Sequence, residues 1–293
     1  MEGFIIGQAT FAAREIEPGL YLVATPIGNL GDMTIRALEV LASADLIACE
    51  DTRVTGKLLK HFAIATRMTS YHEHNAGKAG PRLLEALREG KRVALVSDAG
   101  TPLVSDPGYR LVEAARAEGL AVWPVPGASA PIAALAASGL PSDTFLFDGF
   151  LPAKQTARRK RLKELKGVPA TLIFFESPNR LTDSLGDIAA ELGETRQLAV
   201  CRELTKLHEE IRSGEAGELA EHYSDAKVKG EIVLVVAPPE KGEAIDADAI
   251  LTDLLASASV SRAAAEAAEL TGLPRRELYQ RALEIAKRGR QGE

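Results

Sequence analysis

Cysteine is nearly missing from the 293 residues: Cys49 and Cys201 stand alone, and nothing near either has the spacing of zinc ligands. That excludes a disulfide framework, and both read as small residues of buried strands. Long apolar runs are missing too. No stretch approaches the roughly 18 residues of a membrane span. The opening Met1-Glu2-Gly3-Phe4-Ile5-Ile6-Gly7 has neither the basic start nor the apolar core of a secretory signal. The expected location is the cytoplasm. Positive charge is in deficit, with 35 Lys and Arg against 41 Asp and Glu, a net charge of −6. This argues against a protein that coats nucleic acid indiscriminately, while leaving room for a local basic face. No close internal repeat is present.

What remains is ordinary for a folded chain, 46% hydrophobic and 26% charged. Its length exceeds what one core usually holds, so two domains and an appendage are expected. The central stretch is Val93-Ala94-Leu95-Val96, an apolar run that passes straight into Ser97-Asp98-Ala99-Gly100-Thr101-Pro102-Leu103-Val104-Ser105-Asp106-Pro107-Gly108 and then into a helical pattern from Tyr109 to Glu118. The order reads as buried strand, loop, helix. In an open α/β sheet the carboxyl end of such a strand is where small ligands bind. Gly100 admits a ligand to the backbone, Pro102 and Pro107 stiffen the loop, and Asp106 has the place of an N-cap before Pro107.

Other strands end in similar loops. Leu20 to Ala24 runs into Thr25-Pro26-Ile27-Gly28-Asn29-Leu30-Gly31-Asp32, which resembles a phosphate cradle but matches neither the P-loop nor G-x-G-x-x-G. Leu46 to Cys49 delivers Glu50-Asp51-Thr52-Arg53, whose two carboxylates beside an arginine can do acid–base work or simply pair and cap the next helix. A short strand at Met68 to Ser70 leads to Tyr71-His72-Glu73-His74-Asn75. His72 and His74 share a face of an extended segment, so they offer two metal ligands at most, and a polar loop is the simpler reading. Ala121 to Val125 opens into Pro126-Gly127-Ala128-Ser129-Ala130.

The spacing predicts an arm over 1–18, a first α/β domain over 19–140, a second over 141–240, and a helical tail over 244–293. Lys154 to Lys166 reverses the overall charge, with Lys154, Arg158, Arg159, Lys160, Arg161, Lys163 and Lys166 against Glu164 alone. It is either a solvated helix face or a grip on an anionic polymer. Further strands are expected at Thr171 to Phe175, Leu198 to Cys201, Glu210 to Arg212 and Ile232 to Val236. The tail, with a Gly-containing turn before its last helix, fits a helix-turn-helix or a small bundle.

Taken in order, the loops from Thr25 to Asp32, Cys49 to Arg53, Tyr71 to Asn75, Ser97 to Pro102 and Pro126 to Ser129, with Phe175-Glu176-Ser177-Pro178-Asn179-Arg180 and Arg202-Glu203-Leu204-Thr205-Lys206, closely resemble the signature of the 16S ribosomal RNA cytidine 2′-O-methyltransferases. These belong to the tetrapyrrole-methylase-like class of S-adenosylmethionine enzymes. The resemblance spans about residues 20–237. It implies an α/β fold of two αβα domains with a small helical domain, usually a homodimer, holding S-adenosylmethionine between the domains and methylating a cytidine ribose in 16S rRNA or the small ribosomal subunit. It places cofactor contacts at Ser97, Asp98, Ala99, Gly100, Val104, Ser105, Asp106, Ser129, Ala130, Phe175, Leu204 and Gly230. No metal is required.

A ribose hydroxyl is a poor nucleophile at neutral pH, so a general base is expected among Glu50, Asp51 and Lys206. Arg53 would orient a carboxylate or hold an RNA phosphate, and Lys154, Arg158, Arg159, Lys160 and Arg161 would grip the RNA backbone. Two other readings stay open: the same fold acting on a tetrapyrrole or protein side chain, and a ligand-sensing regulator that binds nucleic acid through its tail.

Overall fold

The computed structural model describes residues 3–105, 108–240, 247–256, 258–271 and 273–291. The chain opens with a hairpin, β1 (Gly3–Ile6) paired antiparallel to β2 (Ala9–Ala12). This replaces the unstructured arm expected over 1–18. Phe4 explains the difference, because it is buried in the first core and stacks on Phe11 at 5.4 Å between ring centroids.

The first lobe alternates strand and helix: β3 (Gly19–Val23), α1 (Ile35–Ser43), β4 (Leu46–Cys49), α2 (Thr52–His61), β5 (Met68–Ser70), α3 (Ala76–Arg88), β6 (Arg92–Val96), α4 (Tyr109–Ala117), β7 (Val122–Val125) and α5 (Ala130–Ser138). Its five strands pair in the order β5-β4-β6-β3-β7, all parallel. Parallel strands covered on both faces are continuously apolar, and Val93, Ala94, Leu95 and Val96 are buried accordingly. Capping follows local chemistry: Thr34 Oγ1 accepts from the Ala37 N–H (3.1 Å) at the start of α1, and Asp51 caps α2 by accepting from the Arg53 N–H (2.8 Å). Helix α4 begins at Tyr109 with Gly108 as its N-cap. That corrects the expectation of an Asp106 cap; Asp106 and Pro107 lie outside the described residues.

The second lobe comprises β8 (Phe145–Phe150), α6 (Gln155–Leu165), β9 (Thr171–Glu176), α7 (Leu181–Leu192), β10 (Gln197–Arg202), β11 (Glu210–Glu215), α8 (Ala216–His222) and β12 (Ile232–Val236). Its sheet runs β11-β10-β12-β9-β8, antiparallel except for β8 with β9. Helix α5, from the first lobe, packs on this sheet and shares an apolar cluster with it through Ala134, Leu135, Ile173, Cys201 and Val235. The lobes also meet at Gly28, where a Cβ would collide with Lys206 Cγ, so only glycine lets the two loops approach this closely. Past 240, α9 (Ala247–Leu255), α10 (Val260–Thr271) and α11 (Arg275–Gln291) close their own small core around Leu251, Ala263, Ala267 and Leu278.

Candidate functional site

The carboxyl ends of the parallel strands form one rim, and the second lobe leans over part of it. Between them lies a cavity of about 400 Å3, within the range of small-molecule sites. Of the predicted cofactor contacts, Asp98, Ala99, Gly100, Val104 and Ser105 line it from the β6–α4 loop, Ser129 and Ala130 from the start of α5, and Phe175, Leu204 and Gly230 from the second lobe. Ser97 stands behind the wall: buried, it donates from Oγ to the Gly100 carbonyl (3.1 Å), and its own carbonyl accepts from Thr25 Oγ1 (3.1 Å). Asp106 is outside the described residues.

Sequence reasoning missed Ile27, Phe150, Cys201, Ile232 and Val233, which supply much of the apolar wall. Only the strand pattern could have suggested the last two. Phe147 and Phe150 pack on the Phe175 ring at 5.0 and 5.3 Å. Burial pushes the Cys201 thiol up to about 12, so it behaves as wall rather than nucleophile.

Both loops bordering the cavity hold strained backbone. Leu103 (φ 71°) and Ser105 (φ 63°) flank Val104, and Glu203 (φ 51°) and Thr205 (φ 66°) flank Leu204. Non-glycine residues at such φ persist only where the surroundings fix them. The fixing contacts are visible. Gly100 and Thr25 exchange two backbone hydrogen bonds (2.9 and 3.0 Å), while Glu203 binds the Glu231 N–H (2.9 Å) and Lys206 Nζ (2.8 Å). The buried Glu176 side chain accepts from the Ser177 N–H (2.7 Å) and Ser184 Oγ (2.6 Å) and pairs with Arg180 (2.7 Å), which holds the loop after Phe175.

The three candidate bases fare differently. Asp51 is bound by Arg53 through Nε and Nη2 (3.0 and 2.6 Å), and those hydrogen bonds hold its carboxyl down at about 2, so it is a capping and pairing group. Lys206 lies between Glu203 and Glu231 (2.8 and 3.0 Å). Burial favours its neutral form, but the two carboxylates outweigh burial and raise the ammonium above its usual value. It is therefore protonated at neutral pH, which removes it as a base in this state. Glu50 makes no side-chain hydrogen bond or ion pair among the described residues, and burial, then the nearby Asp98 carboxylate, pushes its carboxyl up.

Glu50 lines a second, polar cavity of about 440 Å3 together with Tyr71, His72, Glu73, His74, Ser105, Tyr109 and Arg110. The His72 and His74 rings lie 6.0 Å apart. Among the described residues no three His, Cys, Asp or Glu side chains converge as metal ligands would.

The basic helix α6 does not present its arginines as expected. Arg158 is buried, its Nε 2.7 Å from Asp187 on α7, and Arg159 Nε binds the other oxygen of the same carboxylate (2.6 Å). Arg161 pairs with Asp148 and Glu164. Arg158 is thus a core residue with no access to RNA, and Arg159 and Arg161 already have anionic partners; Lys154 and Lys160 remain exposed. A groove of about 620 Å3 elsewhere, beside β5 and α3, carries exposed Arg67, Lys78 and Arg82, none with a carboxylate partner among the described residues. No run of charge marks these three in the sequence, because strand and helix bring them together from separate segments.

The sequence pattern of the Tetrapyrrole (Corrin/Porphyrin) Methylases matches residues 19–220, and that of the RsmI C-terminal HTH domain matches 241–286. A protein named Ribosomal RNA small subunit methyltransferase I from Mesorhizobium japonicum is 57% identical over 99% of each chain. Its namesake from Escherichia coli O157:H7 is 51% identical over 90% of this chain and 94% of that one. In fold, diphthine synthase (TM-score 0.59, 16% identity, 74% of this chain and 89% of that one) and the cobalt precorrin-4 methyltransferase CbiF (0.54, 18%, 74% and 94%) are similar. The pattern match over 19–220 and identities of 57% and 51% along nearly the whole chain, on a two-lobed body with its cavity at the carboxyl ends of the parallel strands, place the chain among the tetrapyrrole methylases and, within them, in the ribosomal RNA small subunit methyltransferase I family.

Proposed function

We propose that this protein transfers a methyl group from S-adenosylmethionine to the ribose 2′-hydroxyl of a cytidine in 16S rRNA, near the decoding site of the small ribosomal subunit, and that it works in the cytoplasm as a homodimer. One observation carries the reading: an apolar-walled cavity with a few polar groups, at the carboxyl edge of a parallel sheet, in a chain that shares more than half its residues with a named small-subunit rRNA methyltransferase. The cavity suits such a donor, since Gly100, at φ 84° and with its carbonyl and N–H held by Thr25, leaves room that a Cβ against Ile27 (3.3 Å) would take. Asp98, Ser105 and Ser129 can hold its polar ends, with Ile27, Val104, Phe175 and Leu204 against its apolar surface. Once bound, it supplies an electrophilic methyl carbon beside a good leaving group. The chain's part is then to position, exclude water and accept a proton; positioning alone is worth on the order of 7–11 kcal/mol.

RNA phosphates fit Lys154 and Lys160, and the Arg67–Lys78–Arg82 groove extends that footprint, while Arg53 holds the Asp51 carboxylate. No helix among the described residues is long and apolar enough to cross a membrane. The test is transfer of labelled methyl from S-adenosylmethionine to small subunits of a strain deleted for this gene, with the product mapped by its resistance to alkaline cleavage. A label on a cytidine ribose is expected. Label only on protein or base, or none, would overturn the reading, and sedimentation with and without RNA decides the copy number.

A further inference from the structure

The rim of the first sheet carries two cavities, and the strand order divides them. The donor cavity lies over β6, β3 and β7; the polar one lies over β5, β4 and β6. The two adjoin at the β6–α4 loop, where Ser105 lines both. Asp98 stands at the same divide, facing the donor cavity while its Oδ1 accepts the Asp51 N–H (3.1 Å) from the other side.

The polar cavity holds groups that the fold has left unused. His72 Nδ1 is buried with no hydrogen-bond partner among the described residues. Its position is nevertheless fixed, because Asn75 Oδ1 accepts the His72 N–H (2.9 Å) and Asn75 Nδ2 donates to the Ser70 carbonyl (3.1 Å). The Glu50 carboxylate is likewise unpaired among the described residues. Tyr109 is 67% exposed although aromatic, its ring face open while its hydroxyl donates to Glu113 Oε1 (3.3 Å), and beside it Arg110 has no carboxylate partner among the described residues. A buried ring nitrogen without a partner costs about 1–3 kcal/mol unless something else completes it. An unstacked nucleoside offers what these groups lack: a flat face for Tyr109, polar edges for His72 and a phosphate for Arg110.

We infer that this cavity receives the acceptor nucleoside, extruded from single-stranded RNA, and that Glu50 is the catalytic base that takes the proton of its 2′-hydroxyl. The inference rests on the proposed function and names its second site. As the hydroxyl oxygen bonds to the methyl carbon, the O–H proton passes to a Glu50 carboxylate oxygen and the carbon–sulfur electron pair stays on sulfur. Carboxylate, alcohol and sulfonium thus become carboxylic acid, ether and thioether. The raised carboxyl of Glu50 suits this task better than Asp51, whose lone pairs Arg53 occupies. Asp98 and Asp51 disfavour the ionisation of Glu50 and His72 favours it, and Glu73, His74 and Arg110 line the same cavity.

The test uses the full-length protein with a short single-stranded RNA containing the target cytidine. In the presence of S-adenosylhomocysteine, with no turnover, Tyr109→Ala should weaken RNA binding about tenfold, as loss of one stacked base does. Tyr109→Phe should not, and RNA should shift the 15N resonance of His72 Nδ1. In single-turnover assays Glu50→Gln should slow transfer on the order of 10²–10⁴-fold and lose the rise with pH that the wild-type rate shows through the Glu50 ionisation, while RNA affinity holds. Unchanged S-adenosylhomocysteine affinity shows that each variant is folded, and Glu50→Asp, which keeps the carboxylate, should recover part of the rate. A wild-type rate in Glu50→Gln, or wild-type RNA affinity in Tyr109→Ala with no shift at His72, overturns the inference while the proposed function stands. Absence of transfer by the wild type to small subunits of the deletion strain overturns both.

Discussion

Asp187 shows how much one carboxylate can hold. Its oxygens take Nε of Arg158, Nε of Arg159 and Nε2 of Gln155, with the Arg158 pair almost wholly shielded from water. Burial opposes the ionised form, but the two guanidiniums outweigh it and set the carboxyl below its usual 3.8. A depressed carboxyl contributes stability that is complete above that usual value and is lost as pH falls through the lower, folded-state value. Asp187→Asn should therefore lower stability by about 3–5 kcal/mol at neutral pH, because it strands a buried guanidinium. Thermal melts should show the deficit shrinking below pH 3.8, and an unchanged melting temperature at pH 7 would refute it. Replacing both partners with apolar residues should cost much less. Nothing in the run from Lys154 to Lys166 announces this pair: the partner is 29 positions away and meets it only because α6 packs on α7.

Loops are where the element scale decides function. Gly100 (φ 84°) and Gly90 (φ 76°) share a left-handed backbone, yet Gly90 faces open space whereas a Cβ on Gly100 would press on Ile27. Both alanine variants should lose about 1–2 kcal/mol from backbone strain. Only Gly100→Ala should also weaken S-adenosylhomocysteine binding, which calorimetry would resolve; equal affinity in the two variants would argue against the proposed donor cavity. Helix α6 gives a second element-scale expectation. Arg158→Glu should destabilise the second lobe rather than act on RNA, whereas Lys154→Glu with Lys160→Glu should leave the melting temperature within a degree or so and flatten the salt dependence of RNA binding by about one unit of log–log slope for each phosphate left unneutralised. The parallel strands of the first lobe were legible because burial on two faces leaves an unbroken apolar run, as in Val93 to Val96. The β1–β2 hairpin was not, since β2 is exposed throughout and the tie to the core is Phe4 with one backbone hydrogen bond from the Ile5 N–H to the Phe62 carbonyl. Among the base candidates, residue type could propose Glu50, Asp51 and Lys206 but could not rank them; the ranking came from Arg53, Glu203 and Glu231, which either lie outside the motif or orient only once it folds.

Across the whole molecule, the body and the tail bury separate apolar clusters. A chain ending at Pro239 should therefore keep the body's melting transition and its S-adenosylhomocysteine affinity while losing affinity for small subunits. Loss of donor binding in that truncation would show that the tail completes the body. The place of Ser105 in the lining of two chambers has a wider thermodynamic consequence. A common lining residue gives each occupant a route to the other, and linkage requires any exchange to be symmetrical: whatever factor S-adenosylhomocysteine imposes on RNA affinity, RNA must return in full on S-adenosylhomocysteine affinity.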